Sequence, residues 1–370
     1  MATDSGEAGA FKVVPGDIPN RGILFVDHSA TGRSGHGGNC LTECANGDII
    51  SFYSNVSGEE LRGHGVGGWS EYRRSTDGGR TWGEPVVLEY SRRAWEGDEV
   101  YSALVFAVTA APDGALIAVI SRFANTAWVK KLPPVYLLSL DNGHTWSEPR
   151  DVDPGATVDD ISLTFDAVFT HEGEVFIVFM GGSEDYCPGP FSLYVSDDNG
   201  RSFHRRSLLP FDNDYYYATA GVLSDGRIIV YSYAYHSEDN VNEYDLPYVI
   251  SSDGGRTWSR PATARFARRL RNPQLSAQIG GLYFMHGRSG NKGQDAKNLV
   301  LYSSPDGINW DEGTILYKKE FGGGDCYSAN EVIGKHNPSS PRRLLIQSSI
   351  SYDPASSRVN EHHWWVDVPR

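Results

Sequence analysis

His36, in GHGGNC, and Tyr101, in EVYSAL, lie 65 residues apart and are the pair best suited to moving protons. An imidazole with an ordinary pKa of about 6.5 takes or gives a proton near neutrality, and a tyrosine hydroxyl can serve the converse step. Asn39, Asp166, Tyr217, Arg271, Asn272, Tyr327 and Asn330 stand at the openings of similar strand-like segments, and Arg122, His286 and Arg288 at the ends of the segments that follow. Together these side chains make a polar, partly cationic set, which suits an anionic sugar through charge-assisted hydrogen bonds. His64, in the glycine-rich LRGHGVGGW, reads as an accessory group on a substrate loop. Each residue also has an ordinary structural role open to it: tyrosines pack between sheets, and a single His or Arg often only hydrogen-bonds within the fold.

Such a set needs a scaffold that gathers strand openings from distant parts of the chain, and an internal repeat supplies one. STDGGRTW (Ser75 to Trp82), SLDNGHTW (Ser139 to Trp146) and SSDGGRTW (Ser251 to Trp258) are near copies, with degenerate forms SDDNGRSF (Ser196 to Phe203) and SPDGINW (Ser304 to Trp310). Their closing aromatics are spaced by 64, 57, 55 and 52 residues, the length of a four-stranded unit with loops. Asp-Gly or Asn-Gly at the centre favours a tight turn, the Ser, Asp and Thr side chains can form a local network, and the Trp can wedge between units. Each octapeptide carries too few oxygen ligands for a calcium loop.

Every unit also holds an apolar run, DIISFYS, ALIAVIS, EVFIVFM, RIIVYSY and GLYFMHG, suited to a strand buried on both faces. A sixth unit, CYSANEV, RRLLIQSSISY and NEHHWWVDV, lacks the octapeptide, and GILFVD (Gly22 to Asp27) can complete it. The expectation is an all-β chain: a β-propeller of six four-stranded blades, its ring closed by the N- and C-terminal strands so that no edge is left free. Residues 1–370 then form a single domain in which residues 1–34 are an N-terminal segment and ring-closing strand. Seven blades result if that segment and the last strand build a small blade of their own.

With 33 Lys and Arg against 47 Asp and Glu, the net charge of −14 argues against a nucleic-acid partner. No segment reaches the ~18 apolar residues of a membrane span, so no membrane partner is expected. Four cysteines are too few for a disulfide framework; Cys40 and Cys44 fall on the same face of a strand and are not expected to bridge. Adjacent His362 and His363 point to opposite faces, which argues against joint metal ligation. No metal or cofactor is called for, a structural Ca2+ being left open. No phosphate-binding or dinucleotide fingerprint is present.

The octapeptides resemble the Asp-box, S-x-D-x-G-x-T-W, of the sialidase-like β-propellers over almost the whole chain. That resemblance implies boxes on outer hairpins and a site at one end of the central channel. True sialidases have an Arg-Ile-Pro motif on the first inner strand, further arginines for the substrate carboxylate, and a Tyr paired with a Glu. GGDCYSAN puts Tyr327 where the family has its Tyr-Ser, but His36 and Gly37 stand where the first arginine belongs, Ala and Tyr replace the Glu and second Arg in AGVLSDGRIIVYSYAY, and Lys297 lies near the third. Lysine does not reproduce the planar guanidinium fork.

The chain looks nearer to the sialidase-like propellers that act on uronic acids, the ulvan and rhamnose–glucuronate lyases, which place a His on one inner strand and a Tyr on the next. RNPQ, FMHGRSGN and SSISYDPASSRVNEHHWW share that likeness. It implies β-elimination from an acidic oligo- or polysaccharide. The carboxylate would be neutralised by Arg122 or Arg288, His36 and Tyr101 would exchange protons, and Asn39, His64, Asp166, Tyr217, Asn272, His286, Tyr327 and Asn330 would bind substrate. Hydrolysis needs two carboxylates; Asp166 is the clear inner-strand acid, Glu43 and Glu331 lie farther along, and Glu184 and Asp185 could supply a loop acid. An exo-glycosidase and a non-catalytic glycan-binding propeller are the alternatives. The chemistry fits a secreted or periplasmic monomer, although MATDSGEAGAF holds no signal core.

Overall fold

A computed structural model describes residues 11–61, 64–65, 67–98, 100–124, 130–182, 189–212, 215–234, 245–289, 297–321, 325–336, 341–354 and 357–369. Among them the chain is all-β apart from one eight-residue helix, Glu89–Glu96, and its sheets are arranged as a β-propeller. No helix among these residues is long and apolar enough to cross a membrane. Glu184 and Asp185 lie outside the described residues.

Three sheets have four antiparallel strands each. One runs Val168–His171, Glu174–Met180, Phe191–Ser196 and His204–Leu208; the next Tyr215–Val222, Ile228–Ala234, Asp245–Ser251 and Ala262–Arg265; the third Arg271–Leu275, Tyr283–Arg288, Leu299–Ser304 and Thr314–Tyr317. A five-stranded sheet joins Ser328–Ile333, Arg343–Ser351 and Val359–Asp367 to two N-terminal strands, Lys12–Val14 and Ile23–Val26, both antiparallel to Val359–Asp367. The expected six four-stranded blades do not appear as six sheets. Among the described residues four blade-sized sheets stand alone, and the first two repeat units share one nine-stranded sheet. The cause is a close approach: Trp69, at the start of Gly68–Ser75, pairs in parallel with Ala103 of Tyr101–Ala110. Gly67, two residues before Trp69, makes room for the helix side chain Trp95, because a Cβ there would lie 2.3 Å from the Trp95 ring.

The second strand of each unit is buried as its composition demands; Val175 to Met180 and Leu116 to Ile120 are buried throughout. Each large apolar side chain so buried contributes about 1.5–3 kcal/mol. The first strands surround a central cavity of about 210 Å3, to which Leu41, Val108, Val168, Ala220, Leu275 and Val332 each bring one wall.

The octapeptides are hairpin fastenings. In one of them Ser251 Oγ donates to Asp253 Oδ1 (2.7 Å), Thr257 N and Oγ1 donate to the two Asp253 oxygens (2.9 and 2.6 Å), and Gly255 N donates to Ser251 Oγ (2.8 Å). The same pattern recurs around Asp77, Asp141 and Asp198. Each box leans on the unit before it. A Cβ on Gly143 would meet Ile50 at 2.1 Å, a contact only glycine permits, and Gly79 of the first box faces Leu345 and Trp365 of the last sheet.

Candidate functional site

The first strands all enter the channel from the same end, and several begin with a backbone kink there. Asp166, Tyr217, Asn272 and Cys326 have positive φ (53°, 40°, 52° and 63°) at four of these openings, and Gly37 and Gly38 serve a fifth. For non-glycine residues such conformations cost on the order of 1–3 kcal/mol each, and they cluster where side chains must be aimed. The register of two of these strands is broken beside the kink, between Tyr216 and Thr219 and between Arg271 and Gln274.

The kinks bring rings together across the mouth. Phe165 packs on Tyr217 (4.7 Å between centroids) and, from the far side of the channel, on Tyr327 (5.6 Å). His36 meets Tyr327 edge to face at 4.9 Å, and the Arg288 guanidinium lies 5.1 Å over the Tyr327 ring. Tyr217 continues to Tyr233 (5.8 Å), whose hydroxyl accepts a long bond from Arg271 Nη2 (3.4 Å). Behind them Lys297 has its pKa lowered by burial and then by Arg288, Lys319 and Arg271, with Asp325 as a counter-charge. Burial in turn raises the Asp325 carboxyl, against hydrogen bonds from Ser351 that lower it. The mouth is therefore aromatic and cationic. His36, Tyr327 and Arg288 are 2, 8 and 5% exposed, so a group reaching them is largely stripped of water.

Tyr101 belongs to a neighbouring cluster. Its hydroxyl lies 3.2 Å from that of Tyr90, which the helix Glu89–Glu96 carries in, and Arg122 reaches Tyr90 while donating through Nε to Pro133 O (2.7 Å). Burial, then the Tyr101 contact, raises the Tyr90 hydroxyl well above its usual range. The contacts thus pair His36 with Tyr327, and Tyr101 with Tyr90 and Arg122. Tyr217 is half-buried at the mouth, and His64 sits in a two-residue strand, His64–Gly65, paired with Glu60–Leu61.

Five expected substrate contacts are placed otherwise. His286 is fully buried; its Nε2 accepts from Asn330 Nδ2 (2.9 Å), so Nδ1–H donates to Ser328 Oγ (2.9 Å), and burial lowers its pKa to about 3. It ties one sheet to the next instead of facing ligand. Asn272 is also fully buried, and neither amide atom has a hydrogen-bond partner among the described residues. Asp166 and Asn330 line the central cavity below the mouth, with Gln274 and Glu331. Enclosure, then Glu331, raises the Asp166 carboxyl well above the usual carboxylate range. Asn39 is buried as well, donating to Glu361 Oε2 (2.8 Å) and, more weakly, to Tyr327 O (3.4 Å).

Phe165 and Glu361 were not among the residues singled out from sequence. Phe165 is flanked by the candidate Asp166, which was the available hint; Glu361 shares the NEHHWW segment with His362 and His363. Among the described residues no group of three or more His, Cys, Asp or Glu could hold a metal ion. Cys40, Cys44 and Cys326 are buried free thiols.

First strands gathered about a central channel, several of them kinked at its mouth, and fastened by Asp-box hairpins define a BNR-type β-propeller. Residues 71–353 match the BNR repeat-like domain, and the chain belongs to that family. No curated protein sequence matches it. Among solved structures it is similar to a protein of unknown function from Dyadobacter fermentans (TM-score 0.70, 12% identity, 94% of this chain and 97% of that one). It is also similar to the Hadza microbial sialidase Hz136 (TM-score 0.68, 17% identity, 92% and 68%). The α-L-arabinanase of Penicillium chrysogenum, solved with arabinobiose, has a TM-score of 0.63 at 15% identity over 94% and 98% of the two chains. At these identities the likeness is one of fold.

Proposed function

We propose that this protein is a carbohydrate-active enzyme that cleaves an acidic glycan at a uronic acid by β-elimination. The observation that carries this reading is the buried contact of His36 with Tyr327 under the Arg288 guanidinium. Arg288, with Arg271 and Lys297 behind it, neutralises the uronate carboxylate, which makes the C5 proton removable. His36 takes that proton, the C5 electron pair forms the C4=C5 bond, and the C4–O bond breaks. The Tyr327 hydroxyl protonates the departing oxygen, and the proton on His36 then returns to the phenolate. Tyr101 and Arg122 form the adjoining wall, placed to hold a neighbouring sugar.

Hydrolysis is the second reading, favoured by the sialidase and arabinanase names of the structural neighbours. A two-carboxylate mechanism asks for an ionised partner, whereas burial pushes Asp325 and Glu361 toward their neutral forms. We further read the nine-stranded sheet as two blades bridged at Trp69 and Ala103, making six about one axis in a single domain. The six first strands around one cavity support this, as does the packing of the first box on the last sheet. On the same reading the N-terminal strands on Val359–Asp367 close the ring.

The test is product chemistry. Uronate-containing polysaccharides such as ulvan or gum arabic, incubated with the enzyme, should give fragments lighter by one water than hydrolysis products in mass spectrometry. Fragments of the hydrated mass would establish hydrolysis instead.

A further inference from the structure

We propose that Glu361, acting through Asn39, is the positioning residue that holds His36 against Tyr327. The inference rests on the site named above but concerns a residue that does not face substrate. His36 and Tyr327 come from opposite ends of the chain, and their contact is only as good as the join between the loop 34–39 and the last sheet. That join is built on the final strand. Gly35 N donates to Val359 O (3.1 Å), His36 N to Ser34 Oγ (3.1 Å), and Ser34 Oγ to Ser357 O. Glu361 lies at its centre. A Cβ on Gly35 would stand 2.3 Å from Glu361 Oε1, so the backbone preceding His36 rests directly on the carboxyl. Its other oxygen, Oε2, accepts from Asn39 Nδ2 (2.8 Å), and the same nitrogen reaches Tyr327 O (3.4 Å). One amide therefore ties the His36 loop, the final strand and the Tyr327 backbone together.

The chemical state of the carboxyl fits this task. Glu361 is 1% exposed, Oε1 has no hydrogen-bond partner among the described residues, and burial raises its pKa well above the ordinary range against the Asn39 bond. A neutral acid whose carbonyl oxygen accepts from Asn39 gives alignment without placing a charge beside His36. Glutamine has the same shape and the same acceptor, so a positioning role survives Glu361→Gln, and a role as ionised base or nucleophile does not.

The experiment compares Glu361→Gln, Glu361→Ala and Asn39→Ala with wild type on the uronate polysaccharide that the wild type cleaves. Glu361→Gln should keep kcat within about threefold. Glu361→Ala and Asn39→Ala should each lower kcat about a hundredfold with KM within about threefold, the effect of a misplacement near 1 Å. The double alanine variant should be no worse than either single one. A Glu361→Gln variant as inactive as Glu361→Ala overturns the proposal, as does full activity in Glu361→Ala. A readout independent of activity covers variants that fold poorly and the case in which no glycan is cleaved. The wild-type infrared spectrum at pH 7 should show the carbonyl band of a protonated carboxylic acid that Glu361→Gln lacks. Absence of that difference contradicts the assignment, whereas its presence in a protein without glycan activity would sink the functional reading and leave the alignment standing.

Discussion

Tyr327 and Tyr101 offer the same hydroxyl from neighbouring clusters, and removing each hydroxyl separates their roles. Tyr327 shares its ring contact with His36 and lies beneath Arg288; Tyr101 is bonded to Tyr90. Tyr327→Phe should lower kcat about 10²–10⁴-fold, the range of a lost general acid. Tyr101→Phe should change kcat by less than about tenfold and act mainly on KM, since its hydroxyl then only lines a binding wall. Steady-state kinetics on an acidic polysaccharide decide between them, and the reverse ranking would restore the His36 and Tyr101 pairing expected from sequence. Arg288→Lys should also fall short of wild type, because an ammonium keeps the charge but loses the planar fork.

At the scale of the element, the box hairpin stands on one buried hydroxyl and one carboxylate. Ser251 is 1% exposed and is the acceptor for Gly255 N, so Ser251→Ala leaves that donor unpaired and should cost about 1–3 kcal/mol in denaturant unfolding. Activity at saturating substrate should be unchanged, since the box lies outside the mouth. The Asp253 carboxyl is lowered to about 2, first by the Thr257 hydroxyl and then by Thr257 N. A carboxyl depressed in the folded state contributes stability that is fully present above the unfolded value near 3.8 and is lost as pH falls toward 2. Asp253→Asn should flatten that part of the acid limb, and an unchanged limb would remove the box carboxylates from the account.

For the whole molecule, acid should act earlier through buried histidines. Burial lowers His28, His362 and His363 to about 4 each. The unfolded chain therefore binds protons first, and stability present above pH ~6.5 falls as pH drops toward 4. His363 sits among Phe25, Trp82 and Trp365, and neither ring nitrogen has a hydrogen-bond partner among the described residues. His363→Phe should thus raise the thermal midpoint at pH 5 more than at pH 8, and equal shifts at both pH values would contradict this. The same distinction between local and distant contacts explains what the sequence made legible. The boxes could be read directly because their network needs Ser, Asp, Gly and Thr at fixed offsets within eight residues. The apolar second strands followed from their unbroken runs, Glu174–Met180 to the residue. The shared sheet was hidden because it depends on one pairing, Trp69 with Ala103. Glu361 was hidden because its partner Asn39 is 322 residues away, and Phe165 because it meets Tyr327 only across the channel. His286 and Asn272 stand at strand ends in the sequence, but segments far from them in the chain bury them fully.

The central claim, elimination by His36 with Tyr327, is tested most directly by absorbance near ~235 nm during digestion of a uronate polysaccharide by wild type, His36→Ala and Tyr327→Phe. Absorbance should rise steadily for wild type as C4=C5 bonds form, and at least about a hundredfold more slowly for each variant. A flat wild-type trace accompanied by new reducing ends, or variants as fast as wild type, would contradict it.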